Sequence, residues 1–460
     1  MNRLKGGREG REGDMARRSN GFGRRHFLKA VGAASLAAGG RPLTAWAATK
    51  KGEPAAKAAP AIQRGTKLHH LQWSSFVKPA DDTMRELAAE WGKQHGVEVT
   101  IETINANDLQ ARVTAAVESK TGPDVIQMLH FWPHLYANAC VDVSDIAEPI
   151  GQRDGGYYEQ IRDACRVGGA WRAVPLGFVA LNNAWRVDWF RQNGILKFPD
   201  TWDEYLAAGR KLKAFGKPIG QAFGHSFGDP NAFCYPLLWS FGAKEVERDG
   251  RTLALDSKAT RESIKFCVAF FKETCDPGGL AWDDTSNNRA YLAGTISSTL
   301  NGASIYFSAK KQFPKIAEVT DHDPLPKGPA GRFSWHVVQH HSVMAYSKNQ
   351  AAAREWIRWL MERPQYDRWF KIQEGYTTGA TRFWEDHKMW ESDRKIVTYR
   401  DLNKYGKNPG WPGPPGRPAG EALAKYIVVD MYARAIQGAS PDEAVKWAMG
   451  ELRQIYGKKA

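Results

Sequence analysis

The chain has 460 residues, with 64 Lys and Arg against 50 Asp and Glu for a net charge of +14, and a length of this order builds two or three domains with sizeable cores. The charge is uneven: residues 1–47 hold ten basic and three acidic side chains, residues 48–70 add four net positive charges, and the remaining body is close to neutral at about +3. A broad polyanion-binding surface is therefore excluded as a first reading, and nucleic acid is not an expected partner.

The five cysteines (Cys140, Cys165, Cys234, Cys267, Cys275) form no CxxC pair and no metal-like spacing, which disfavours heme, iron-sulfur and zinc sites. An oxidising compartment would permit a bond such as Cys267 to Cys275, but the odd count leaves a free thiol, and buried reduced cysteines are the expected state. No cofactor is expected.

Gly23-Arg24-Arg25-His26-Phe27-Leu28-Lys29 is followed by a mild apolar run over 30–38 and by Ala45-Trp46-Ala47. A paired arginine, an apolar pair and a lysine resemble the signal read by the twin-arginine translocase, which moves folded proteins. An ordinary secretory signal with a basic start is the alternative, since Gly23 stands where a hydroxyl residue is usual. Either reading exports the product to the periplasm, with cleavage near Ala47. No later stretch approaches the roughly 20 apolar residues of a membrane helix.

Residues 48–65 are Ala, Lys and Pro with few apolar anchors and read as a flexible linker. A βαβαβ rhythm then begins near Lys67: a strand over 68–73, helical spacing at Met84, Leu87, Ala88 and Trp91, alternation at Val97, Val99 and Ile101, a second helix through Leu109, Val113 and Ala116, and a strand over 125–129 after Gly122-Pro123. This opens a doubly wound α/β sheet. An apolar stretch over 176–181 begins a second region. Two capping boxes, Thr201-Trp202-Asp203-Glu204 and Ser440-Pro441-Asp442-Glu443, mark helix starts. Helices are expected around 258–274, 349–362 and 421–437, strands over 296–300 and 337–346, and a stiff turn over 408–418.

Several motifs in this order resemble those of the extracellular solute-binding proteins of ABC importers, in the carbohydrate group that includes maltose-binding protein. They are Trp73-Ser74-Ser75, Gly122-Pro123-Asp124-Val125, Trp171-Arg172-Ala173-Val174-Pro175-Leu176 leading to Ala180-Leu181-Asn182-Asn183, Phe198-Pro199-Asp200-Thr201-Trp202-Asp203-Glu204, Ala293-Gly294-Thr295, and Leu300-Asn301-Gly302-Ala303. Each is weak alone, but their order runs across nearly the whole chain after the linker. Two departures stand out: Ala303-Ser304 replaces the usual aromatic after the Asn-Gly turn, and no Tyr lies beside Asn182-Asn183.

The resemblance implies an α/β, two-lobed periplasmic-binding-protein fold (type II), with a ligand cleft between lobes joined by crossover hinge segments near 177–180, 327–333 and 375–380. The implied lobes are 66–178 plus 332–375 and 179–331 plus 376–460. It also implies a carbohydrate (sugar, oligosaccharide or polyol) as ligand, ABC permease transmembrane subunits as partners, a monomeric state and no catalysis.

The 18 tryptophans suit such a ligand, because a sugar ring packs its C–H face on an aromatic face while its hydroxyls need polar partners. Trp73 and Ser74 follow the first strand, and His130, Phe131 and Trp132 follow the 125–129 strand, at the edge where α/β sheets bind ligands. Further candidates are Asn183, Trp239, Trp282, Asp283, Asn301, Gly302, Trp335, Tyr376 and Trp411, the last presented by Pro412, Pro414 and Pro415. For each, plain packing is the competing reading.

His336 and His340 alternate onto one face but have no acidic or cysteine companions, so no metal is expected. Trp356, Trp359 and Trp369 belong to helices over 349–374, the first two at the three-residue spacing of a core face, and are left out. Three other functions remain open: a binding protein for an anionic ligand such as a glycerol phosphate ester, if Arg172, Arg186 or the imidazoles turn inward; an exported glycan-active enzyme using Asp283 and Asp284; and a cofactor-bearing redox protein.

Overall fold

The computed structural model describes residues 62–457. The twin-arginine segment and most of the linker lie outside the described residues.

Alternating apolar residues lay down three parallel strands: β1 (Lys67–Trp73), β2 (Glu98–Ile104) and β3 (Val125–Leu129), with β1 pairing both others. Helix α1 (Lys78–His95) links β1 to β2, and helix α2 (Ala106–Ser119) links β2 to β3. Pro79 sits in the first turn of α1, where its missing N–H costs nothing. Gly96 ends α1 at φ 66°, a left-handed cap that a residue without Cβ adopts without strain.

A short hairpin, β4 (Arg166–Val167) with β5 (Ala170–Trp171), precedes β6 (Val174–Val179). Two residues later β7 (Asn182–Arg186) opens a second sheet with β8 (Ser298–Asn301) and β9 (Thr320–Asp323). The chain returns to the first sheet at β10 (Val337–Val343) and again at β11 (Thr378–Gly379). The large sheet is thus six-stranded in the order β11-β6-β10-β3-β1-β2, and the small one three-stranded in the order β8-β7-β9. Each sheet, with its helices, forms one lobe.

Pro175 occupies an interior strand position because the β10 pairing shifts register between Gln339 and His340, opposite Gly177 and Pro175. A residue without a donor N–H is tolerated at such an irregularity. Chain crossings between the sheets fall at Ala180-Leu181 and at residues 324–336.

Both capping boxes form, on helices Trp202–Ala214 and Pro441–Tyr456. The helix expected over 421–437 is two helices, Arg417–Ala424 and Ile427–Ile436, broken where Tyr426 takes φ 56°. The first touches helix Trp132–Leu135 of the large-sheet lobe, while the second packs on helices Asp229–Ser240 and Lys258–Thr274 of the other. Trp356 is buried, Trp359 three residues on is only partly buried against the same core, and Trp369 is buried. All five cysteines are buried and free.

Candidate functional site

Strand ends of the large sheet converge on one edge. Trp73 closes β1, His130 follows β3 with φ 52°, Val179 closes β6, and Trp335 stands two residues before β10. The second lobe brings three pieces to the same edge: Phe227-Gly228-Asp229 at the start of helix Asp229–Ser240, the Asp283-Asp284 turn, and Asn301-Gly302 at the end of β8.

The lobes are closed on each other. The Phe227 N–H donates to Asn107 Oδ1 at 3.3 Å, joining the second lobe to the start of α2. The Phe227 ring meets Trp73 edge to face at 5.1 Å. Tyr376 stacks on Trp73 at 6.5 Å and lies 6.2 Å from Phe76. A Cβ on Gly302 would come 2.8 Å from Val179 Cγ1 and 3.0 Å from the Tyr376 ring. Glycine is therefore required for this approach, whatever its backbone angles.

Inside this contact remains a void of about 20 Å³ bordered by Trp73, Phe76, Phe227, Tyr376, Asp229 and Asp284, room for roughly one water. Outside it, a cavity of about 270 Å³ opens between Ser74, Lys78, Asn105, Asn107, Phe227 and Thr285. A sugar cannot occupy the inner space without separation of the lobes or movement of the rings.

The polar groups divide by task. Asp284 accepts from Ser226 Oγ at 2.7 Å and from the N–H groups of Asp229 and Gly228 at 2.8 and 3.0 Å, so it caps helix Asp229–Ser240. Asp229 accepts from Asn287 Nδ2 at 2.6 Å and Asn301 Nδ2 at 3.4 Å, both on Oδ2. Burial, with the neighbouring Asp284 charge next in weight, holds the Asp229 carboxyl well above the usual range. Burial raises Asp284 too, against the pull of its donors.

His130 stacks on Trp335 at 4.8 Å with both ring nitrogens buried and without partners. Its desolvation, and secondly His340, push it down to about 3, so it is neutral at physiological pH.

Trp73, Tyr376, Asn301 and Gly302 therefore border the inner space, Ser74 lies at the outer mouth, and His130 and Trp335 form a stacked pair behind it. Trp132 lies edge-on to His130 at 6.4 Å. Other candidates stand elsewhere. Trp239 and Trp411 meet at 6.2 Å and share Phe333, forming a separate cluster. Trp282 packs over Gly220 and Gly278. Asp283 accepts from Thr285 and Ser286 and starts helix Ser286–Leu292. Phe131 is buried against His134 and near Gly420, and Asn183 is paired within the small sheet.

Phe76, Phe227 and Asp229 were not anticipated as site residues, and Asp284 was anticipated only through its pairing with Asp283. Phe227-Gly228-Asp229-Pro230 does carry a local signal, an aromatic before a Pro-started helix, but nothing in it says that it faces the first lobe.

A larger cavity of about 690 Å³ lies away from this edge, among Tyr158, Gln160, Arg382, Glu385, Asn403 and Lys404. Its acids and bases balance, and it lacks the opposed aromatic faces of the cleft.

Two lobes closing an aromatic and carboxylate-lined cleft define a hinged ligand-binding protein rather than a surface with exposed chemistry. The chain belongs to the bacterial extracellular solute-binding proteins, whose family model matches residues 78–366. No curated protein sequence matches it.

Solved structures share the fold. An ABC transporter solute-binding protein from Agrobacterium radiobacter in complex with ribitol is 19% identical, covering 85% of this chain and 99% of that one at TM-score 0.72. A sugar transporter protein from Arthrobacter chlorophenolicus with bound laminaribiose is 13% identical, covering 86% and 100% at TM-score 0.75. Maltose-bound MalE3 of T. maritima is 17% identical, covering 85% and 99% at TM-score 0.73. Among the described residues no helix is long and apolar enough to cross a membrane.

Proposed function

We propose that this chain is the periplasmic substrate-binding component of an ABC importer, capturing a sugar, oligosaccharide or polyol between its lobes and presenting the closed form to the permease. The observation that carries this reading is the set of aromatic faces, Trp73, Phe227 and Tyr376, brought against Asp229 and Asn301 where the lobes meet. Rings take the C–H faces of a sugar, and the acid and amide take its hydroxyls. Similar structures holding ribitol, laminaribiose and maltose support the same ligand class.

The lobes follow the expected division, 66–178 plus 332–375 and 179–331 plus 376–460, with one change: Thr378–Gly379 pairs with β6, so residues 376–379 join the large-sheet lobe, and the hinges lie where the chain crosses between sheets. The protein acts as a monomer and catalyses nothing. It leaves the cytoplasm through its twin-arginine signal.

The anionic-ligand reading has lost its two arginines. Arg172 donates to the Cys140 carbonyl and Arg186 pairs with Asp188 at 2.7 Å, so neither borders the cleft. The enzyme reading is weakened in the same way, since Asp283 and Asp284 cap different helices.

Titration of the purified protein with mono- and oligosaccharides and polyols, followed by tryptophan fluorescence, tests the proposal. Saturable binding is expected for at least one. Silence across the panel, with a response to sugar phosphates instead, would overturn it.

A further inference from the structure

Building on the sugar-binding reading above, we propose that the natural ligand carries a basic nitrogen: an aminated sugar or polyol whose ammonium group lies against Asp229 among the rings of Trp73, Phe76, Phe227 and Tyr376.

The inner space is bordered by two carboxylates and, among the described residues, by no Lys, Arg or His. Lys78 stands at the outer mouth with its Nζ donating to Ser74 Oγ at 2.6 Å. The two acids are not equivalent. Asp284 has both oxygens engaged by donors at the start of helix Asp229–Ser240, where the helix dipole also favours its charge. Asp229 has only Oδ2 engaged, by the amides of Asn287 and Asn301, and its Oδ1 receives no hydrogen bond although the residue is only 4% exposed.

A buried carboxylate with a free oxygen and no counter-charge is an incomplete site. A ligand hydroxyl would supply a donor but no charge, and would leave the carboxyl raised toward its neutral form. An ammonium supplies both, through a charge-assisted bond of the stronger kind. The rings that border the same space act in the same direction, because their π faces attract a cation and the attraction grows when water is excluded. A carboxylated or phosphorylated ligand would meet two acids and no base.

The test is calorimetric titration of the purified protein with matched sets: glucosamine, glucose and N-acetylglucosamine; galactosamine and galactose; the glucosamine disaccharide and cellobiose. The amine is expected to bind at least about tenfold more tightly than its neutral and its acetylated partner, a gap that a desolvated cation–π and charge pair accounts for. Asp229→Asn is expected to erase most of that gap by weakening the amine far more than its neutral partner. A neutral or acetylated partner that binds as tightly as the amine overturns the inference and leaves the sugar-binding reading standing. Failure of every sugar to bind removes both. The matched comparison is made on the unaltered protein, so a variant that fails to fold does not obscure the result.

Discussion

Trp73 and Phe227 belong to different lobes and meet edge to face, with ring centroids 5.1 Å apart and planes at 75°. One ring ends the first strand of the large sheet and the other introduces a helix of the small-sheet lobe, so their contact is where closure is felt. Ligand binding must replace this ring-to-ring contact by ring-to-ligand contacts.

Trp73→Ala is therefore expected to weaken ligand binding by about 1–2 kcal/mol, roughly five- to thirtyfold, from lost stacking. It should also remove most of the tryptophan fluorescence change. Calorimetry gives the affinity independently of the lost fluorophore. Unchanged affinity would place the ligand away from this edge.

Gly302→Ala separates closure from folding. The added methyl would meet Val179 at 2.8 Å and the Tyr376 ring at 3.0 Å only when the lobes are together. The open form should be spared. Affinity is expected to fall about tenfold, in line with an overpacking cost of 1–3 kcal/mol, with a melting temperature close to that of the parent. A large loss of stability with intact binding would mean that the contact is structural and not part of closure.

Acid should destabilise the protein before ordinary carboxylates titrate. Burial lowers His70, His130 and His336 to about 3 and His322 and His340 to about 4, and drives His341 well down. His70 and His341 also face each other at 4.8 Å, with His69 beside His70. In the unfolded chain these imidazoles take up protons near pH 6.5. The folded state then binds fewer protons than the unfolded one, and stability is lost as pH falls below that value toward 4. Each group contributes about 1.4 kcal/mol per pH unit. His134 is lowered as well, while six acids, Asp81, Asp163, Asp229, Asp284, Asp323 and Glu245, are raised by burial and work in the opposite direction over part of the window. Seven imidazoles against six carboxyls leave a small net fall in stability as the pH drops. Circular dichroism melts from pH 7 to pH 5 should show it, and a flat melting temperature would contradict it.

Export is tested at the other end of the chain. Replacing both Arg24 and Arg25 by lysine is expected to strand the precursor in the cytoplasm, since the translocase reads the guanidinium pair. Cell fractionation followed by immunoblotting measures it. Normal periplasmic yield from the double variant would assign the segment to the ordinary secretory route.

Local pattern carried the elements well. The strand over 68–73, the helix at 258–274 and both capping boxes stand where spacing and hydroxyl-acid pairs put them. The same rules misjudged 421–437, where a continuous apolar stripe hides the break at Tyr426, a left-handed residue that nothing in its composition announces. For the site, position after a strand picked out Trp73, and position after the small-sheet strand picked out Asn301 and Gly302.

Sequence by itself settled the α/β class, the order of elements and the family resemblance, because periodicity, caps and motif order are properties of neighbours along the chain. Tertiary structure decided which aromatics face the cleft and which acid is left without a partner. Trp239 and Trp411 are as conspicuous in the sequence as Trp73, yet they pack on each other far from Asp229. Asp229 differs from Asp284 only in which donors the fold brings to its oxygens. Those donors lie 55 to 72 residues away along the chain, and a pattern of near neighbours carries no record of contacts made over that distance.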